Sequence, residues 1–169
     1  MVAAAVAAIA LGLLGLAGMA KVANPVPTGG ALRAAGLPST NVVVRILGLF
    51  EIAASVGGLI FGGPWVAGAV ALYAGFTAFT GLAVRARMPI QSCGCFGRED
   101  TPPSWLHFGF NLVSLIALGV VAVTGTAVVP AGDSIPTLIG YLVFACIGVY
   151  LSYLLATRLP QTMAMARTE

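Results

Sequence analysis

Charge is what this sequence has least of. Only 8% of its 169 residues are Asp, Glu, Lys or Arg, against 59% hydrophobic, and the mean hydropathy is +1.02. A domain that keeps itself in water carries about 25% charged residues, so a soluble globular protein is excluded. Histidine occurs once and cysteine three times. Two neighbouring thiols, His107 and a Cys146 expected deep in a helix cannot assemble a closed four-ligand zinc site, and no metal is expected. There is no Gly-rich nucleotide loop, no haem-ligand pair and no Ser/His/Asp set, and the apolar runs leave no room for a catalytic domain. The net charge of +3 would suggest nucleic acid in a soluble chain; here the positions of the charges suggest a bilayer instead, and no nucleic-acid partner.

What is present is five apolar runs, roughly 2–22, 42–62, 65–85, 105–126 and 135–157. Each reaches or approaches the ~20 residues needed to cross a hydrocarbon layer of about 30 Å. Lipid offers no partner for free backbone groups, so each should be an α-helix. None alternates with the period of two that an outer-membrane barrel requires. The expected fold is all-α: a four-helix transmembrane core over 1–126, then a fifth transmembrane helix and short tail over 127–169. The first run lacks a basic leader and is too long for the core of a signal peptide, so it reads as a retained helix. Residues 25–40 are too broken by Pro and Gly to span, with room for a short interfacial helix around 31–36. Asn41, Ser104 and Asp133-Ser134 stand where helix N-termini need caps.

The basic residues give an orientation. Lys21, Arg33 and Arg45 fall at the first connection, Arg85, Arg87 and Arg98 at the third, and Arg158 and Arg167 in the tail. In an up-and-down chain these share one side of the membrane, and cytoplasmic loops are the ones enriched in Lys and Arg. The expectation is a multi-pass protein of a bacterial plasma membrane, with its N-terminus outside and the 86–104 connection and C-terminus inside. The Ala, Gly and Val bias fits a high-GC bacterium.

Polar residues inside the runs recur at helical spacing. Gly48, Glu51, Ser55, Gly58 and Gly62 form one stripe of the second run, the kind that packs on protein rather than lipid. Glu51 lies ten residues from the start of that run, ~15 Å deep at 1.5 Å per residue, where a carboxylate should be protonated or paired. Tyr73, Thr77 and Thr80 share a face of the third run, and His107, Asn111 and Ser114 a face of the fourth. Matching depths suggest one polar interior opening toward the cysteine-bearing connection. Two readings stand open: mutual hydrogen bonds that hold the helices in register, or a pocket around Glu51 for a quinone, a lipid head group or a partner side chain. In the fifth run Cys146, Tyr150 and Tyr153, with Gly148 and Ser152, read as a packing surface.

The run QSCGCFGRED carries Cys93 and Cys95 on either side of Gly94. Residues two apart in a turn can close a disulfide, and a ring so small is strained and easily reduced. With SCGCFG after the third run, Glu51 followed by Gly57-Gly58, and Lys21-x-x-Asn24-Pro25 closing the first, the chain resembles the MauE/DoxX-like family of redox-associated membrane proteins over about 8–126. The resemblance implies a four-helix core, Cys93 and Cys95 as a thiol pair, and Glu51 and Lys21 as core positions. It links relatives to disulfide formation in a partner enzyme and to quinone-coupled sulfur oxidation. Asn24 stands where relatives often carry an acid.

The chain is therefore expected to be an accessory subunit packed laterally into a larger membrane complex, a transporter or respiratory assembly, with no catalytic cofactor of its own. The alternatives are thiol–disulfide or quinone-linked redox work through Cys93 and Cys95, and lipid or quinone binding around Glu51.

Overall fold

The computed structural model describes residues 2–88, 90, 102–130 and 134–165, with side chains as far as Arg158. These residues form six helices and no strand: α1 (Val2–Ala23), α2 (Val26–Ala34), α3 (Asn41–Ile60), α4 (Pro64–Arg85), α5 (Trp105–Thr124) and α6 (Ile135–Met165). Five of them, all but α2, are long and apolar enough to cross a membrane. The expected runs are therefore the observed spans, shifted by a few residues at their ends.

Local chemistry explains the boundaries. Thr40, not Asn41, caps α3, its Oγ1 accepting a hydrogen bond from the Val43 amide at 3.3 Å. Gly62 and Gly63 both adopt positive φ, +64° and +48°, which lets α3 reverse directly into α4, and Pro64 supplies a first helical residue that has no amide to satisfy. Gly125 closes α5 in the left-handed conformation. Ser104 precedes α5 but makes no capping bond to the backbone. α2 starts earlier than expected, with Pro27 in its first turn, and it is not a free interfacial helix: Pro27, Thr28, Gly29 and Ala31 are buried.

α1 is the central helix, packed against α3, α5 and α6, while α4 packs against α3 and α5. Small residues make the α1–α3 seam close. A Cβ added to Gly18 would fall 2.6 Å from the Gly48 carbonyl oxygen, and one on Gly48 would fall 2.7 Å from that of Gly18. Toward the Gly62-Gly63 turn the bundle is filled by Ala7, Ala8, Leu11, Val66, Leu118 and Val121. α6 lies outside this ring, and its principal packing partner is α1. Gly148 receives Ile9 and Gly12 receives Val149, and the Tyr141 hydroxyl reaches the Ala4 carbonyl at 3.1 Å. The packing face of α6 is thus Gly148, Val149 and Ser152; Cys146 and Tyr150, expected on it, are exposed.

Candidate functional site

The end of the bundle away from the Gly62-Gly63 turn is built from polar side chains. Lys21 leaves α1 two residues before its end, and its Nζ donates to Glu51 Oε2 on α3 at 2.9 Å. Both are buried, 3% and 0% exposed. Lys21 was expected among the basic residues at the first connection; instead it sits inside the protein. The reason is a mismatch of helix lengths. α3 begins ten residues before Glu51, ~15 Å at 1.5 Å per residue, whereas α1 stops just past Lys21, so the ammonium lies beside the middle of α3 and pairs inward with Glu51.

The pair is charge-balanced but not fully hydrogen-bonded. Among the described residues Glu51 Oε1 has no hydrogen-bond partner, and Lys21 Nζ lies 5.5 Å from the centre of the Phe76 ring, within reach of a cation–π attraction. Breaking a buried pair by removing one member costs about 3–5 kcal/mol, because the other charge is stranded.

The remaining polar groups divide in two. Ser55 Oγ and Tyr73 Oη each donate at 2.7 Å to α1, to the carbonyls of Leu11 and Ala10. Thr77 and Thr80 turn back on their own helix, donating to Tyr73 and Phe76 carbonyls at 2.7 Å. Ser55 and Tyr73 thus tie α3 and α4 to α1, whereas Thr77 and Thr80 bond within α4. On α5, His107 Nδ1 is 2.8 Å from Ser104 Oγ, and the ring also reaches the backbone of Ala156 on α6. Asn111 and Ser114 make no hydrogen bond to any described residue.

Between these groups is a cavity of about 290 Å³, bounded by Lys21, Tyr73, Phe76, His107, Asn111 and Ser114. Of the residues expected to form a pocket, Tyr73, His107, Asn111 and Ser114 line it, whereas Glu51, Thr77 and Thr80 do not. Glu51 stands behind Lys21, which presents the cationic end of the pair to the cavity. Lys21, Phe76, Thr28 and Ser152 are wall residues that helix-face reasoning missed. Lys21 was legible as the one charge placed before the end of the first run; Thr28 was not, because its position depends on how α2 folds back. Cys93 and Cys95 lie outside the described residues. The connection that contains them leaves α4 at Arg85 and enters α5 at Trp105, at the cavity end of the bundle.

An amide or hydroxyl facing an apolar enclosure without a partner costs on the order of 1–3 kcal/mol. The cavity therefore presents donors and acceptors from Asn111, Ser114 and Lys21 at one side and Leu and Phe side chains elsewhere. That arrangement suits a small molecule with a polar end and an apolar body.

Comparison with known proteins identifies the lineage. The family model described as methylamine utilisation protein MauE matches residues 1–127, a stretch that carries α1 to α5 and both members of the buried ion pair. No curated protein and no solved structure matches the chain. With three-quarters of its length matched, this polytopic all-α membrane protein belongs to the methylamine utilisation protein MauE family.

Proposed function

We propose that the chain binds a small, polar-headed, largely apolar molecule within its bundle, at the cavity beside the Lys21–Glu51 pair. The observation that carries this reading is the conjunction of a cavity of about 290 Å³ with Asn111 and Ser114, polar groups on its wall that hydrogen-bond to none of the described residues. A quinone ring and a lipid head group are both compatible with it. Asn111, Ser114 and Lys21 supply the polar part of the wall, and Leu and Phe side chains the apolar part. The setting proposed is a bacterial plasma membrane with the cavity end inside. Arg33, Arg45, Arg85, Arg87 and Arg158 support that orientation, being exposed toward that end. Lys21, once paired internally, no longer contributes to it.

The test is ligand recovery. Protein purified in mild detergent should carry, or take up, a quinone or neutral lipid in near-stoichiometric amount, and Asn111→Ala/Ser114→Ala should lower the uptake at least tenfold. Protein that carries neither and takes up neither ends this reading.

A second reading, that the chain is an accessory subunit of a larger membrane complex, draws on α6. None of the side chains in its most apolar stretch is fully buried, it is held chiefly through α1, and it lies beyond the family match. Mild-detergent purification should then recover a stoichiometric partner that is lost when residues 135–169 are deleted. Cys93→Ser/Cys95→Ser should leave that assembly intact and active. If the double variant assembles but has lost all function, thiol chemistry replaces the accessory role: two thiols would form one disulfide, and their two electrons and two protons would convert a quinone to its quinol.

A further inference from the structure

The cavity is too small for a whole membrane amphiphile, and it is not closed on all sides. At about 290 Å³ it lies at the bottom of the range of about 300–1,000 Å³ that holds a complete small ligand. Its wall between α3 and α4 is made by Leu47, Ala71 and Leu72, and the same three residues border a second, apolar groove of about 620 Å³ that runs along the outside of the α3–α4 seam. This groove continues past Gly68 to Trp65 and Pro64 at the opposite end of α4. From Phe79 in the cavity to Pro64 is fifteen residues of helix, ~22 Å, most of the depth of a ~30 Å hydrocarbon layer.

Two glycines line this path. Gly75 stands at the cavity wall and Gly68 in the groove, and a Cβ on either would meet no atom within 4 Å. No helix packing requires them, in contrast with Gly18 and Gly48, although glycine is a poor helix former. With Ala71 between them they leave one face of α4 without side-chain bulk where the cavity meets the groove.

We infer that the ligand is a tailed, neutral amphiphile taken directly from the bilayer, with its head in the Lys21/Asn111/Ser114 cavity and its tail leaving between α3 and α4 to lie in the groove toward Trp65. The inference rests on the cavity reading above and adds to it the class of ligand and the route. Neutrality follows from charge: Lys21 is already balanced by Glu51 at 2.9 Å, so a formal anion would bring an unbalanced charge into an apolar enclosure. Acceptor oxygens are called for by the Asn111 amide and the Ser114 hydroxyl. A ring with carbonyl oxygens on an isoprenoid tail and a glycerol ester on acyl tails share this chemistry.

The groove contains its own reporter, since Trp65 lines it and the chain has two tryptophans. In full-length Trp105→Phe protein reconstituted in nanodiscs, a benzoquinone with a brominated decyl tail and a brominated dioctanoylglycerol are titrated separately against Trp65 fluorescence. Binding of the tailless quinone ring is followed by equilibrium dialysis. At least one tailed probe should quench Trp65 saturably, and which one does so identifies the source. Gly68→Leu, and independently Gly75→Leu, should weaken that probe at least tenfold. Gly68→Leu should leave the tailless ring within twofold when the quinone is the active source. Both variants should retain wild-type helical content and elution, because a Cβ at either position meets no atom within 4 Å. Tailed binding unchanged by both glycine variants overturns the route while leaving the cavity reading intact. Absence of binding by every probe overturns both.

Discussion

The two ends of the bundle solve the same problem with different materials. Near the Gly62-Gly63 turn, Ala, Leu and Val side chains from α1, α4 and α5 form the packed core. Near the 86–104 connection the interior holds an ion pair, a histidine and a cavity walled by Asn111 and Ser114. In a membrane the apolar end gains little from hydrophobic burial, since lipid is as apolar as the core, and is held by close packing. The polar end is held by pairing. Both ends keep a space of similar volume, about 280 and 290 Å³, and they differ in that only the second has a member of a buried ion pair on its wall.

The sharpest way to break this contrast is to strand a charge. Glu51→Leu should lower stability by about 3–5 kcal/mol, whereas Lys21→Met/Glu51→Leu should recover most of that loss; a double-mutant cycle on detergent unfolding reads the coupling. A double variant as unstable as the single would show that the pair is not what holds this end. At the packed end, Leu118→Ala opens a hole beside α1 and should cost about 2–5 kcal/mol, seen as a lowered thermal midpoint. Between the two, Gly48→Ala forces its Cβ against the Gly18 carbonyl and should cost about 1–3 kcal/mol. Gly119→Ala meets open space and should instead gain about 0.5–1 kcal/mol. Equal effects at the two glycines would remove the case for a close α1–α3 seam.

The smaller effects distinguish structural polar groups from those left for a ligand. Tyr73→Phe deletes a hydrogen bond to α1 and should lose about 0.6 kcal/mol, the usual worth of such a bond between membrane helices. Asn111→Leu removes an amide that hydrogen-bonds to none of the described residues and should leave stability within about 0.5 kcal/mol of wild type while abolishing ligand uptake. If Asn111→Leu proves as damaging as Leu118→Ala, the amide has a structural partner and the cavity reading loses its main support.

Much of the architecture was readable because lipid restricts the options. A backbone without water must be helical, so the five apolar runs became α1, α3, α4, α5 and α6 with ends displaced by a few residues. Helical spacing also identified inward stripes: Gly48, Glu51, Ser55 and Gly58 all face α1, and Tyr73, Thr77 and Thr80 are all buried. Where the reading went astray, a side chain's fate depended on a neighbour distant in sequence. Cys146 and Tyr150 share a periodic face with Tyr153, yet α6 turns Gly148 and Ser152 toward α1, because only small residues there let Ile9 and Val149 interlock. Cys93 and Cys95, the most distinctive feature of the sequence, lie outside the described residues, so their role rests on the variants proposed above.

By itself the sequence determined how many segments are long and apolar enough to cross a membrane and which stripes of α3 and α4 turn inward, since both follow from backbone satisfaction and a 3.6-residue period acting within one segment. Only the tertiary structure decided that Lys21 meets Glu51 thirty positions away, that α2 packs beside α3, and that a space remains between α1, α4, α5 and α6. Pairing depends on the relative lengths of two helices, and a cavity is the difference between the volume several helices enclose and the volume their side chains fill. Neither quantity belongs to any single stretch of chain.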